Sequence, residues 1–291
     1  MDKIQEITIE TLIDRYEVLL LDAFGVLVHS SGTLAGAAEL ITELNRSAKP
    51  YYILTNDASR LPATAATRFQ HMGLAIETDR IITSGSLLKG YFAQNRLIGS
   101  RCVVLGPEDS VRYVELAGGL VVSPDDAFDV LVIGDESGFP FLDTVDSVLT
   151  GLIRRLDHGE NVHLVLPNPD LIYPKSDRAF GITGGGIALI LEAALQQRYP
   201  GQNNLRFERL GKPHDVIFKE ALRRSGTRNM VMVGDQLATD IRGARAFGLD
   251  SVLIASGITN MHTITVDNDQ LLPTYAMQSI ILRRKTLSGF S

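Results

Sequence analysis

The sequence predicts an α/β protein with a parallel β-sheet that is covered by helices on both faces. Short runs of β-branched and other apolar residues alternate with helical stretches along the chain, which is the pattern of successive strand–helix–strand units. In addition, 45% of the 291 residues are hydrophobic, so the chain can bury a sizeable core. Its length is enough for two compact lobes.

Helical signals stand between most of the predicted strands. Pro62 fits the first turn of a helix, because its fixed backbone angle suits that position. The triple glycine Gly184–Gly186 precedes a strongly helical stretch at 187–196, and a phosphate-binding P-loop would need a lysine that is missing here. We therefore expect a tight loop there. The apolar runs predict strands at about 18–22, 51–55, 81–83, 101–105, 130–134, 162–166, 206–210, 229–234 and 251–255.

Three of these strands end in polar residues. Asp22 ends the first run, Thr55 and Asn56 end the second, and Asp235 follows the run at 229–234, with Asp240 close behind. In open parallel sheets ligands bind beyond the carboxyl ends of the strands, so we expect these side chains to converge. Carboxylates are the ligands that Mg²⁺ prefers. We therefore expect Mg²⁺ to bind beyond the carboxyl ends of these strands.

Four short segments occur in order, and together they resemble the four motifs of the haloacid dehalogenase-like (HAD) superfamily. Each is weak alone, but four in order are specific. The resemblance runs from about Val18 to Ser256 and is nearest to class IIA, which holds sugar-phosphate, pyridoxal-phosphate and nitrophenyl phosphatases. The segments 81–85 and 168–170 also fit this class. The four are Asp22-x-x-Gly25-Val26, Thr55-Asn56, Gly211-Lys212-Pro213 and Gly234-Asp235-x-x-x-Thr239-Asp240.

The resemblance implies a doubly wound, Rossmann-like HAD core with an inserted α/β class II cap domain. Two motifs precede residue 60 and two follow residue 210, which leaves about 120 residues between them for the cap. We expect the core at 1–84 and 206–291 and the cap at 85–205. A cap hinged near 83–85 and 207–211 could close over the catalytic face and exclude water.

The resemblance also implies Mg²⁺-dependent cleavage of a phosphate ester. Mg²⁺ would be held by the Asp22 carboxylate, the Phe24 carbonyl and Asp235, with Asp240 close by. Asp22 would attack phosphorus to give an aspartyl-phosphate that water hydrolyses. A cation is needed because a carboxylate and a phosphate charge repel by about 4 kcal/mol at ~4 Å and an effective dielectric near 20.

The remaining site residues are predicted to bind the substrate. The resemblance implies that Thr55, Asn56 and Lys212 bind the phosphate oxygens, and Lys212 adds positive charge. Ala23 and Phe24 belong to the same phosphate-binding set. Two cap residues, Asn168 and Asp170, serve either as hinge structure or as substrate contacts. The implied substrate is a small phosphorylated metabolite resembling a sugar phosphate.

One residue departs from the phosphatase pattern. Phe24 stands two positions after Asp22, where phosphatases carry the aspartate that protonates the leaving oxygen. Such general acid–base help is worth about 10²–10⁴-fold in rate. Two alternatives follow. The first is a phosphatase that favours good leaving groups, unless another acid, such as one from the cap, replaces the aspartate. The second is a catalytically weakened phosphate-binding or regulatory protein. Carbon–halogen cleavage is disfavoured by the retained metal motif, and carbon–phosphorus cleavage by the type and placement of the cap.

Composition narrows the partners and the location. A formal net charge of −6 argues against nucleic acid and anionic membranes as partners. The N-terminus shows no signal-peptide pattern and no run is long enough to span a membrane, so we expect a cytoplasmic protein. The single cysteine, Cys102, is expected to be a buried strand residue. Class IIA members often dimerise, so a homodimer is expected as well.

Overall fold

The computed structural model describes residues 4–176, 179–202, 204–254 and 272–283. The chain divides into two compact units. Unit 1 comprises Met1–Leu54, Ala66–Arg80 and Ala221–Ser291, and unit 2 comprises Thr55–Ala65 and Ile81–Glu220. The predicted cap range 85–205 lies within unit 2, and the division into core and cap at 84 and 205 stays a prediction.

The strands of the described residues are β1 Gln5–Glu6, β2 Val18–Leu21, β3 Val28–His29, β4 Gly32–Thr33, β5 Tyr51–Thr55, β6 Ile81–Thr83, β7 Arg101–Leu105, β8 Leu120–Val121, β9 Val130–Ile133, β10 His163–Leu166, β11 Ile172–Ser176, β12 Ala179–Ile182, β13 Glu208–Arg209, β14 Met230–Gly234, β15 Asp250–Ile254 and β16 Tyr275–Met277.

The α-helices are α1 Ile9–Arg15, α2 Ala37–Arg46, α3 Pro62–His71, α4 Leu88–Gln94, α5 Glu108–Leu116, α6 Phe141–Asp157, α7 Gly184–Arg198, α8 Asp215–Ser225 and α9 Arg242–Phe247. Short 3₁₀ turns lie at Thr78–Arg80 and Gly85–Leu87. A π-helical turn at Leu237–Ile241 leads into α9.

Unit 1 is built on a parallel sheet. Its strands hydrogen-bond in the order β1, β16, β15, β14, β2, β5, and every neighbouring pair is parallel. Both β2 and β14 are buried along their whole length. Such continuous apolar runs are typical of parallel strands that are covered on both faces. The α/β fold class predicted from the sequence is therefore confirmed.

Unit 2 has a second parallel sheet, in the order β13, β10, β9, β7, β8. Its core joins Leu131 of β9 and Leu164 of β10 to Val148 of α6 and Leu191 of α7. The antiparallel pair β11–β12 lies between β10 and α7 along the chain. Because β9 and β10 are parallel neighbours, their carboxyl ends lie side by side, and a polar loop follows each strand.

The structure confirms most predicted elements and corrects one. Every predicted strand has an observed counterpart that differs by at most two residues at either end within the described ranges, and a helix begins at Pro62. The glycines at 184–186 were expected in a loop before a helix, but they form the first turn of α7. Gly185 fits there because its backbone packs closely against the loop 168–170. The short strands and the β11–β12 hairpin were not predicted.

Two expectations from composition can be compared with the structure. Cys102 lies buried in β7 as predicted, and burial raises the pKa of its thiol to about 11. At neutral pH the thiol is therefore protonated and a poor nucleophile. No helix in the described part of the chain is long and apolar enough to cross a membrane.

Candidate active site

Three aspartates of unit 1 form a buried cluster. Asp22, Asp235 and Asp240 each offer one carboxylate oxygen, and these oxygens all lie within 4.8 Å of one another. Asp22 keeps only 5% of its surface exposed, and the other two side chains are completely buried. The structure thus brings together the three carboxylates that the sequence predicts for metal binding.

The arrangement of these carboxylates fits one divalent cation. Two oxygens on opposite sides of a bound Mg²⁺ or Ca²⁺ lie about 4–5 Å apart, which matches the observed spacing. Without a cation, each pair of charges at 4.8 Å would repel by about 3.5 kcal/mol at an effective dielectric near 20. The set of hard oxygen ligands and its burial therefore suit a divalent metal such as magnesium.

Strand pairing accounts for the position of two of the aspartates. Leu21 pairs with Val233 in the parallel β2–β14 ladder, and the Asp22 N–H continues it by donating to the Val233 carbonyl at 2.9 Å. Asp235 follows the last residue of β14 directly. The carboxyl ends of two adjacent strands therefore carry the two side chains, as the rule for open parallel sheets predicts.

The turn after Asp22 is fitted closely to Asp235. The Gly25 N–H donates to the Val28 carbonyl at 2.8 Å, and the Val28 N–H donates to the Ala23 carbonyl at 3.0 Å. Gly25 adopts a φ of +89°, and a Cβ added there would lie 2.3 Å from Asp235 Oδ2. Only glycine leaves room for the carboxylate, which gives the glycine of the first motif its physical reason.

Asp240 is positioned by the π-helical turn that follows β14. The Gln236 N–H donates to Asp240 Oδ2 at 3.2 Å, and the Asp240 N–H donates to the Gln236 carbonyl at 3.1 Å. A Cβ added at Gly234 would lie 2.3 Å from Asp240 Cγ. The glycine before Asp235 therefore allows the second carboxylate to approach the strand.

Phe24 occupies the middle of the turn and is half-buried. Its backbone bridges to Val28, so it is part of the same tight structure. A phenyl ring can neither donate nor accept a proton. The turn after Asp22 therefore supplies no general acid, and the roles predicted for the backbones of Ala23 and Phe24 stay predictions.

In unit 2, the second motif is held by a buried serine. Thr55 is the last residue of β5, and its carbonyl accepts from the Ser84 N–H at 2.9 Å. The Ser84 hydroxyl donates to the Asn56 carbonyl at 2.7 Å. The Thr55 hydroxyl oxygen accepts from the Asp57 N–H at 3.2 Å. Ser84 belongs to the segment 81–85 quoted for the resemblance, and its part in fixing Thr55 and Asn56 was not predicted.

Asn56 connects the second and third motifs within unit 2. Its side-chain oxygen accepts from the Lys212 N–H at 2.7 Å, and its amide nitrogen donates to the Lys212 carbonyl at 2.9 Å. The same nitrogen donates to Asp170 Oδ1 at 2.9 Å. Since an amide has two N–H bonds, both are donated within the protein. Lys212 and Asn56 are buried, so this network fixes the backbone that carries the lysine.

Gly211 makes this close contact possible. A Cβ added at Gly211 would lie 2.5 Å from Asn56 Oδ1 and 2.7 Å from the Pro167 carbonyl. The Gly211 N–H donates to that carbonyl at 3.0 Å. The glycine of the Gly-Lys-Pro motif is therefore explained by the close packing of three segments of unit 2.

The loop carrying Asn168 and Asp170 is anchored at both ends. The Asn168 side-chain oxygen accepts from the Asp170 N–H at 3.1 Å, and the Thr183 hydroxyl donates to the Asp170 carbonyl. A Cβ added at Gly185 would lie 2.3 Å from that same carbonyl. These contacts support the structural alternative for the two residues. The close approach of Gly185 was not predicted from the triple glycine.

Comparison with known proteins settles the family. Residues 19–119 match the family model of the haloacid dehalogenase-like hydrolases, and residues 209–280 match a HAD-hydrolase-like model. The crystal structure of a possible sugar phosphatase of the HAD superfamily from Cytophaga hutchinsonii is 30% identical, with a TM-score of 0.83. That match covers 97% of this chain and 100% of the other. This chain belongs to the haloacid dehalogenase-like superfamily.

Two further relatives of this HAD hydrolase are phosphatases. The dihydroxyacetone phosphatase of Corynebacterium glutamicum is 26% identical over 263 residues, covering 90% of this chain and 88% of the relative. The acid sugar phosphatase of Staphylococcus epidermidis is 22% identical over 267 residues, covering 91% and 95%. With these relatives, the HAD hydrolase falls in the class IIA branch that its motifs indicate.

Proposed function

We propose that this phosphoric monoester hydrolase removes phosphate from a small metabolite resembling a sugar phosphate, with Mg²⁺ as its cation and Asp22 as its nucleophile. One observation carries the proposal: the buried cluster of Asp22, Asp235 and Asp240, whose ligand oxygens lie within 4.8 Å of one another. Two relatives are named dihydroxyacetone phosphatase and acid sugar phosphatase, and these names support a sugar phosphate as the class of substrate.

The metal would be held by the three carboxylates together with the Phe24 carbonyl. A divalent cation at such a site offsets the negative charge that a nucleophilic carboxylate and a phosphate group share. The fit of the carboxylate cluster to one cation supports this assignment.

The protein groups divide the remaining work. Asp22 attacks phosphorus and forms an aspartyl-phosphate, which water then hydrolyses. Thr55 and Lys212 bind the non-bridging oxygens of the phosphate, and the charge of Lys212 compensates part of theirs. Asn56 acts through Lys212, because both of its N–H bonds are already donated to the Lys212 carbonyl and to Asp170. We propose a structural role for Asn168 and Asp170, in which their loop links the hydrogen bonds of Asn56 and Lys212 to the cap.

The alternative functions have less support. A catalytically weakened phosphate-binding or regulatory protein finds none in the comparisons, since the three relatives carry phosphatase names. Carbon–halogen cleavage needs no cluster of three buried carboxylates, and such a cluster is present here. A phosphate ester is therefore the substrate that the site supports best.

The proposal is tested by replacing the nucleophile. Asp22→Asn should abolish the turnover of nitrophenyl phosphate, because an amide is a poor nucleophile, while leaving part of the Mg²⁺-dependent binding of phosphate. Asp14→Asn, at an exposed carboxylate of α1, serves as the control and should keep wild-type turnover. Turnover by Asp22→Asn would remove Asp22 from the nucleophile's role. Wild-type turnover that persists in the presence of EDTA would show that the reaction does not need Mg²⁺.

A further inference from the structure

Helix α5 of unit 2 holds the segment that follows the second motif. The Ser110 hydroxyl donates to the Ala58 carbonyl at 2.8 Å, and Asp109 Oδ2 accepts from the Leu61 N–H at 2.9 Å. Ser110 is buried, and a Cβ added at Gly134 would lie 2.7 Å from its hydroxyl oxygen. The first turn of α5 therefore fixes both ends of the stretch 58–61.

Tyr113, one turn further along α5, has a hydroxyl that joins two other segments. It donates to the Arg60 carbonyl at 2.5 Å, within the stretch 58–61. Since a phenol has one hydrogen, the Thr83 hydroxyl donates in its turn to the Tyr113 oxygen, at 2.6 Å. Burial is the main cause that raises the pKa of Tyr113, so the phenol stays protonated and remains a donor. This hydroxyl therefore ties the end of β6 to the loop after β5.

The ring of Tyr113 is packed as closely as its hydroxyl is bonded. A Cβ added at Gly85 would lie 2.4 Å from Tyr113 Cε2, so the ring lies directly against that backbone. The Thr83 hydroxyl oxygen also accepts from the Ser86 N–H at 3.2 Å. Tyr113 keeps 4% of its surface exposed and Thr83 is completely buried. Water therefore cannot replace the hydrogen bond between the two side chains, and its loss leaves a buried hydroxyl without its partner.

Thr83 stands next to the residue that holds the second motif. The Ser84 N–H donates to the Thr55 carbonyl at 2.9 Å, and the Ser84 hydroxyl donates to the Asn56 carbonyl at 2.7 Å. The Asn56 side chain in turn accepts from the Lys212 N–H at 2.7 Å. A continuous series of bonded residues therefore runs from the tyrosine hydroxyl to the groups proposed to bind phosphate, and every member belongs to unit 2.

We propose that Tyr113 is a positioning residue for phosphate binding, whose hydroxyl fixes the backbone that carries Thr55 and Lys212. The inference rests on the proposed function, in which these two residues bind the phosphate oxygens. It assigns a role in substrate affinity to a residue outside the four motifs. The hydroxyl contacts Thr83, beside the serine that holds the motif, and Arg60, five positions after Thr55. Both contacts restrain the second motif through the chain next to it.

Phosphate affinity measures this role. Tyr113→Phe keeps the ring and removes only the hydroxyl. It should raise both KM for nitrophenyl phosphate and the inhibition constant of inorganic phosphate by about fivefold or more, because a shifted backbone misplaces the binding groups. The affinity for Mg²⁺ in calorimetric titration should keep its wild-type value, since the carboxylate cluster belongs to unit 1. A purely structural role would lower the stability and leave both constants of the folded protein unchanged.

Tyr199→Phe is the matched control. The Tyr199 hydroxyl also belongs to unit 2, and it lies 3.1 Å from the Ile153 carbonyl and 2.7 Å from Asp157 Oδ1. Both partners are on α6, so the substitution removes a tyrosine hydroxyl with two polar neighbours at a different place in the same unit. Tyr199→Phe should leave KM and the inhibition constant unchanged.

The other partner of the bond gives a second test. Thr83→Val removes the hydroxyl at nearly constant shape and should raise the two constants as Tyr113→Phe does. Thr83→Ser keeps the hydroxyl and should retain most of the phosphate affinity. The double variant Tyr113→Phe/Thr83→Val should lose less affinity than the two single losses combined, because both substitutions remove the same hydrogen bond.

The outcomes separate this inference from the proposed function. Unchanged constants in Tyr113→Phe and Thr83→Val, or an equal rise in Tyr199→Phe, overturn the role of Tyr113 and leave the proposed function intact. If Tyr113→Phe does not fold, the comparison of Thr83→Val with Thr83→Ser decides in the same way. A wild-type enzyme that does not hydrolyse nitrophenyl phosphate overturns the proposed function and this inference with it.

Discussion

At the scale of single residues, two glycines beside the carboxylate cluster are required by the space that the carboxylates occupy and not by turn preference alone. Gly25 and Gly234 each leave space that a Cβ would take from Asp235 or Asp240. Gly25 also has a positive φ of +89°. A side chain there would have to displace an aspartate of the carboxylate cluster. The glycines are therefore as much a part of the site as the carboxylates.

Gly25→Ala is predicted to weaken metal binding and turnover together. The new Cβ would lie 2.3 Å from Asp235 Oδ2, so the carboxylate must move away from its present position. Gly73→Ala is the matched control, because Gly73 has a similar φ of +82° but nothing within 4 Å of the added Cβ. Calorimetric titration with Mg²⁺ should show a loss of at least about tenfold in affinity for Gly25→Ala only. Equal losses in both variants would assign the effect to backbone strain.

The environment of Glu136 predicts a pH dependence of stability. Glu136 is half-buried in the loop after β9, and burial raises the pKa of its carboxyl group. At pH values between the ordinary pKa and the folded-state pKa, the native state therefore binds more protons than the unfolded state. The free energy of unfolding should therefore fall as pH rises through this interval. Urea denaturation at a series of pH values should show that Glu136→Gln removes part of this fall. A variant with the unaltered pH profile would contradict the raised pKa.

At the scale of elements, the first turn of α7 is adapted to the loop 168–170. Gly185 faces the Asp170 carbonyl, and the Thr183 hydroxyl donates to the same atom. Gly186, the next residue, has only ordinary contacts, since an added Cβ would lie 3.4 Å from the Leu171 carbonyl. The two adjacent glycines therefore differ: Gly185 is needed for the close packing against the loop, whereas Gly186 is not.

This difference predicts opposite effects of the same substitution. Gly185→Ala should lower the free energy of unfolding by about 1–3 kcal/mol, because the methyl group meets backbone that cannot easily move. Gly186→Ala should leave it unchanged or raise it by up to about 1 kcal/mol, since alanine favours the helix. Urea denaturation of the two variants measures both. Equal destabilisation would show that the backbone contact of Gly185 is not what selects glycine.

At the scale of the whole molecule, unit 2 exposes a continuous apolar patch. Ile172 pairs with Ile182 in the β11–β12 hairpin, a Cβ added at Gly186 would lie 3.5 Å from Ile182 Cβ, and Leu189 and Ile190 lie one turn further along α7. Contiguous exposed apolar surface marks an interaction site. The patch is formed by Leu171, Ile172, Phe180, Ile182, Leu189 and Ile190, all of which are exposed.

A second copy of this chain is the partner that we predict for this patch. The named side chains are uncharged, so two copies of the patch can face each other without repulsion, and the resemblance to class IIA already implies a homodimer. Ile190→Asp should convert the dimer into a monomer in sedimentation velocity, because it buries a charge in the interface. Leu142→Asp, at an exposed leucine of α6, should not. A monomeric wild type, or a dimer that survives Ile190→Asp, would show that the patch does not join two copies.

Much of the fold and of the site followed from local patterns. Continuous apolar runs gave the strands β2, β5 and β14, because a parallel strand buried on both faces needs apolar residues at every position. The hairpin β11–β12 was missed, since its residues are largely exposed, do not alternate and include Pro174, which argues against a strand. The proposed metal ligands Asp22 and Asp235 stood out because each follows such a run directly.

The sequence by itself determined the fold class, the order of the motifs and the identity of the three clustered carboxylates. These features are local or depend on a rule for where strands end, so neighbouring residues carry the information. The tertiary structure decided that Asn56 binds the backbone of Lys212, 156 positions away, and that Gly25 packs against Asp235. These contacts join segments that are far apart in the chain, and their geometry is fixed only when each unit folds and brings its own segments together.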